Sequence, residues 1–189
     1  FYFLIPNFYN KEKLNALIEK KIYDTYALDV KFNKKISYSF FPKPHFVTKN
    51  LSVKYKDDEI AKVSNSKIFI SFNNFFKKED LLIKNLYFNK AEFMMNSRKI
   101  SFFKEILNSN NTPYKISIRN SKLFYQDKDE DVIFISKIKK IIYLFDELNS
   151  ENKMISNFEI FNLPFNFKVS NNKSAGILLT YLKSKKIKL

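Results

Sequence analysis

Hydrophobic and polar positions change period once along this chain. Over residues 10–25, Leu14, Leu17, Ile18 and Ile22 recur at helical spacing, which predicts a helix with one apolar face. Asn10 is placed to cap it, with Glu12 and Lys13 in the first turn. From Ala27 onward the period is two. Leu28, Val30 and Phe32 alternate with Asp29 and Lys31, and a second run from Ile36 to Phe41 stops at Pro42-Lys43-Pro44. Leu51, Val53 and Tyr55 alternate with Ser52, Lys54 and Lys56, then reach a charged tip at Asp57-Asp58-Glu59. Ile68, Ile70 and Phe72 form the next run, ending at Asn73-Asn74. Residues 75–80 read as a short connection. Leu81 to Met95 reads as one long strand whose phase changes near Asn85.

After a short helix over 101–107 and a polar loop over 108–112, strand pattern resumes. Tyr114, Ile116 and Ile118 alternate with Lys115, Ser117 and Arg119 as far as Tyr125, and residues 126–131 form a second charged tip. Runs over 132–148, 154–169 and 177–182 complete the series. Strands joined by short polar turns predict a meander, so the expected fold is mainly β: an N-terminal helix, then a long, curled antiparallel sheet. The runs exceed the usual ~5–6 residues of a strand. If registers align, Leu51, Val53, Tyr55, Ile68, Ile70, Phe72, Tyr114, Ile116 and Ile118 share one apolar face. That face is either a closed core, covered in part by the helix, or an open groove for acyl chains.

Composition narrows the chemistry. The 189 residues are 45% hydrophobic and 17% aromatic, with no Trp, which suits half-buried strands. A single glycine, Gly176, leaves Asn to fill left-handed turn positions. There is no cysteine, which excludes disulfides and thiolate metal sites. The net charge of +15 comes almost wholly from lysine; Arg98 and Arg119 are the only arginines. Lysines spread along strands, with so little Arg, argue against nucleic-acid recognition and leave room for weak attraction to anionic headgroups.

No catalytic set stands out. His45 is the only histidine and lacks partners at triad or metal spacing. Asp127, Asp129, Glu130 and Asp131 lack the glycine and terminal glutamate of an EF-hand, so they read as a solvated tip. No phosphate loop or nucleophile elbow is present. The expectation is a non-enzyme with no metal, no cofactor and no small-molecule substrate.

A resemblance adds to this. The stretch Ile36 to Val53 holds a strand ending in aromatics, a Pro-basic-Pro turn at Pro42-Lys43-Pro44 and a second strand reaching Asn50-Leu51-Ser52-Val53. Ala61-Lys62-Val63, Ser66 to Phe72 and Phe75 to Phe88 follow in order. Over residues ~10–107 this series resembles the AsmA family of bacterial envelope proteins, themselves similar to bridge-like lipid-transfer proteins with a chorein-type N-terminus. Tyr26-Ala27 stands where that family usually has Gly, and Lys90-Ala91-Glu92 where it usually has Pro. The resemblance implies residues 1–9 as the end of a membrane anchor, 10–107 as the AsmA-like helix and sheet, and 108–189 as the same sheet continued. It further implies a single-pass inner-membrane protein of a Gram-negative bacterium. Its domain would lie in the periplasm, with phospholipid acyl chains as its partners in an apolar groove serving outer-membrane biogenesis or lipid homeostasis.

Overall fold

A computed structural model describes residues 11–26, 28–33, 36–39, 41–56, 58–71, 82–102, 115–146, 148–172 and 174–184. Helix α1 spans Lys11–Tyr26. It is followed by β1 (Asp29–Phe32), β2 (Ser37–Ser39), β3 (His45–Tyr55), β4 (Asp58–Ile70) and β5 (Ile83–Met95). The second half holds β6 (Lys115–Gln126), β7 (Val132–Asp146), β8 (Glu151–Ile160), β9 (Leu163–Asn172) and β10 (Ile177–Ser184). All ten strands form one open sheet in the order β1-β3-β4-β5-β6-β7-β8-β9-β10, with β2 beside β1 on the edge of β3.

Helix α1 buries Leu14, Ile18 and Ile22, spaced by four, against the first strands. The Glu19 carboxylate accepts the Phe32 backbone N–H at 3.2 Å and so ties the helix to the edge strand β1. No helix among the described residues is long and apolar enough to cross a membrane; residues 1–9 lie outside them.

The expected meander fails at one junction. β5 and β6 run parallel, Asn85 beside Lys115 and Met95 beside Tyr125. A parallel pair cannot be closed by a hairpin. The end of β5 at Met95 and the start of β6 at Lys115 lie ten residue steps of strand apart, about 33 Å. The described start of the connection crosses towards the β3–β4 tip. There Lys99 Nζ donates to the Glu59 carbonyl at 3.2 Å, and the buried Phe102 ring lies 5.0 Å from that of Tyr55. Ile100–Phe102 are helical; the rest of the helix expected over 101–107 lies outside the described residues. Two further boundaries differ from the sequence reading. β4 is one strand from Asp58, and the run expected over 154–169 is a hairpin, β8 and β9, turning at Phe161-Asn162 with both φ angles positive.

The strands do not keep one phase. In β3 the buried positions on the helix side are Phe46 and Thr48, then Leu51, Val53 and Tyr55, while His45 is buried on the other side against Phe69. Even and odd positions share one side only if a residue between them leaves the alternation, and Asn50 does so at φ 55°. Lys90 (φ 55°) and Asn120 (φ 48°) repeat this in β5 and β6. Pairing registers align Asn50, Ser64, Lys90, Asn120 and Lys139 in one row across five strands. The row ends at β7, where pairing with β8 slips by one residue between Ile138 and Lys140. A smaller irregularity at Lys84 matches the phase change expected near Asn85.

Where the β5–β6 ladder opens along this row, a side chain fills it. Ser121 Oγ accepts the Ala91 N–H at 3.0 Å and donates to the Arg119 carbonyl at 2.7 Å. Ser121→Ala takes away the acceptor of a buried N–H, and urea denaturation should show a loss of about 1–3 kcal/mol.

Candidate functional site: the apolar side of the sheet

Directly paired residues lie on the same side of a sheet, so the registers can be followed strand by strand. One row runs Phe46, Ile68, Leu86, Ile116, Tyr143, Met154, Val169. The next runs Thr48, Ser66, Phe88, Ile118, Ile141, Ser156, Phe167, Leu182. Beyond the row of phase changes, Val53, Ala61, Phe93, Leu123, Ser136, Ile160 and Leu163 continue the same side. The opposite side is mixed over the same strands: one row reads Lys62, Glu92, Lys122, Lys137, Glu159, and another Val47, Lys67, Tyr87, Ser117, Ile142, Ile155.

Of the nine residues expected on the apolar face, Leu51, Val53, Tyr55, Ile68, Ile70 and Ile116 are buried in one cluster, and Ile118 packs against it half-buried. Phe72 and Tyr114 lie outside the described residues. The sequence reading missed part of the surface: Phe88, Phe93, Ile141, Tyr143 and Met154 also belong to it. Their signal was present as alternation that slips by one at Lys90 and Lys139.

Cover is uneven. Near α1 the face is closed, with Phe46, Ile68 and Leu86 at 1–2% exposure. Towards β10 it opens, and Leu182 is 61% exposed. Between them lies a cavity lined by Leu28, by Phe102 and by side chains of β3 to β8, including Val53, Phe88, Ile118 and Met154. Its volume is about 90 Å³. The one polar atom among its lining side chains, the Tyr143 hydroxyl, donates to the buried Asn152 Oδ1 at 2.9 Å.

Thr48 and Ser66 sit side by side on this face, almost fully buried, and neither hydroxyl has a hydrogen-bond partner among the described residues. Each is already a buried polar atom that gains nothing for its lost hydration, so replacing both with apolar groups removes that cost. Thr48→Val combined with Ser66→Ala should therefore leave the unfolding free energy, read by urea denaturation, unchanged or raise it by up to about 1 kcal/mol.

The polar candidates are used locally. His45 is buried and stacked on Phe69, with Nδ1 2.7 Å from the Lys43 carbonyl. The Asp127 carboxylate accepts the N–H groups of Asp129 and Asp131 and so shapes its own loop. At the β3–β4 end, a hydrogen bond from Ser52 and then Lys62 hold the Glu59 carboxyl below its ordinary value. That contribution is present above the unfolded pKa and is lost as pH falls through the folded one.

Scanned against protein-family models the chain matches none, and no curated protein matches it.

Proposed function

We propose that the protein is a non-catalytic lipid-binding or lipid-conducting module. On this reading the sheet curls so that its apolar side forms a groove. Acyl chains lie along the rows from β3 to β10 while headgroups stay in water. The observation that carries it is the continuity of the mainly apolar rows from β3 to β9, one of which reaches Leu182 of β10, together with their unequal cover. A closed core has no need of half-buried Phe88, Ile118 and Met154 around a cavity. Each methylene taken out of water stabilises by about 0.8 kcal/mol, so no reactive group is required. The AsmA-like resemblance over residues ~10–107 supports the same reading. On this reading the module would lie in the periplasm, held to the inner membrane by a preceding helix.

A second reading is a structural or assembly factor of the envelope whose apolar side is covered by its own chain. Phe102, carried onto that side by the connection between β5 and β6, favours it.

The two separate in one experiment. A photoreactive residue replaces Ile118 on the apolar side or Tyr87 on the opposite side, and the protein meets vesicles carrying labelled phospholipid. Adducts at position 118 and not at 87, with phospholipid retained in native mass spectrometry, are expected. No retained lipid and no adduct at 118 would favour the closed core.

A further inference from the structure

On the side of the sheet away from α1, β6 and β7 bring like charges together twice. Lys122 stands opposite Lys137, and Arg119 stands opposite Lys140. Like charges facing each other across a ladder are destabilising. The first pair lies in its row between Glu92 and Glu159, which offset it. The second lies between Asn89 and Asn157, which carry no charge. Among the described residues no acid forms an ion pair with Arg119 or Lys140. A local conflict left standing in an otherwise consistent sheet points to a functional site.

The row through Arg119 and Lys140 is polar throughout. It begins at Lys49 and Asn65 and continues beyond Asn157 to Asn166. It thus crosses β3 to β9, roughly 29 Å at ~4.8 Å per strand step, with neither an acid nor an apolar residue. Exposed Asn50, Ser64, Lys90 and Asn120 of the adjoining row widen it into a belt, where Lys139 is already paired with Glu159. The amides orient one another. Asn120 Nδ2 donates to Asn89 Oδ1 at 3.1 Å, and Asn166 Nδ2 donates to Asn157 Oδ1. Each pair keeps donors and acceptors for a ligand. At the β3–β4 end the belt meets a depression of about 230 Å³, where Asn33 and Ser52 join Asn50 and Ser64, and the one acid, Glu59, is held by Lys62.

We propose that this belt binds an acidic glycan, a chain of hydroxyl-bearing sugars that carries carboxylates. A carboxylate lies between Arg119 and Lys140 and relieves their repulsion. The flanking amides take the hydroxyls, which both donate and accept as they do. A nucleic acid fits less well, because the belt has no aromatic ring on which a base could stack. A bilayer surface fits less well, because the belt has no apolar side chain to insert. The belt lies on the side away from the acyl-chain rows, so glycan binding and lipid binding are independent.

The test uses the 189-residue chain and isothermal titration calorimetry. The probes are hexagalacturonate, its uncharged methyl ester, a thymidine hexanucleotide and phosphatidylglycerol vesicles. Hexagalacturonate should bind at least tenfold more tightly than the methyl ester or the hexanucleotide, and more weakly as salt rises. Arg119→Gln with Lys140→Gln should weaken it at least tenfold, with the urea midpoint unchanged or raised, because the like-charge contact is gone. Lys122→Gln with Lys137→Gln removes the same charge from the same two strands and should weaken it less than threefold. Equal losses in the two double variants would reduce the effect to net charge and overturn the proposal. Equal binding of the methyl ester, equal or tighter binding of the hexanucleotide or the vesicles, or no binding at millimolar hexagalacturonate would overturn it too.

Discussion

Leu86→Ala is expected to lower the unfolding free energy by about 2–5 kcal/mol. Leu86 is 1% exposed and stands in the row between Ile68 and Ile116. It also sits where the antiparallel half of the sheet meets the parallel pair β5–β6. Its neighbours are held by ladders on both flanks, so the space left by the deleted methyl groups cannot easily collapse. That puts the cost in the upper part of the range. A domain is typically stable by ~5–15 kcal/mol, so this one change removes a large share. The measurement is a urea titration of the variant beside Leu182→Ala. Leu182 is 61% exposed on the same side of the sheet, and its loss should cost about 0.5 kcal/mol or less. Similar costs for the two would mean that the edge near β10 is as closed as the centre.

Ile118→Lys should reduce phospholipid retention at least tenfold while leaving the protein folded. Ile118 is half-buried in the middle of the cavity wall, between Phe88 and Ile141. An acyl chain lying there gains roughly what burying one large aliphatic side chain gains, about 1.5–3 kcal/mol. Each ~1.4 kcal/mol lost is tenfold in affinity. The lysine stem can lie along the apolar wall with its ammonium in open solvent, so the fold should tolerate it. Tyr87→Lys, one residue away on the side shared with Lys67 and Ser117, is the matched control and should retain lipid. Native mass spectrometry reads both. Undiminished lipid on Ile118→Lys would remove the apolar face from the mechanism.

Local alternation made the helix and most strands legible. Leu14, Ile18 and Ile22 declared the buried side of α1, and Leu51, Val53 and Tyr55 declared one half of β3. Alternation failed wherever a strand changes phase, because period two carries no record of a residue that steps out of it. Asn120 is a residue type that tolerates φ above zero, so Ile116 and Ile118 could have been joined to Leu123 across it. Lys90 gives no such hint. The parallel pairing of β5 and β6 was also hidden, since strand direction depends on how far the connection travels and not on which residues alternate. Which residues cover the apolar side was equally beyond local pattern. Phe102 reaches Tyr55 from 47 positions away in sequence, through the β5–β6 connection.

The aligned row at Asn50, Ser64, Lys90, Asn120 and Lys139 makes the strands share a reading frame. Deleting Asn120 alone would restore strict alternation in β6. Ser121 would take its place facing inward, so Leu123 and Tyr125 would stay on the apolar side, but β6 would be one residue short against Lys90 and Lys139 and the pairs beyond the row would slip. The same deletion made together at all five positions would keep every partner on its own side. Single-residue deletions at this latitude should thus be far more damaging than deletions in the Asp127–Asp131 tip, and tolerated length changes should come in matched sets across neighbouring strands.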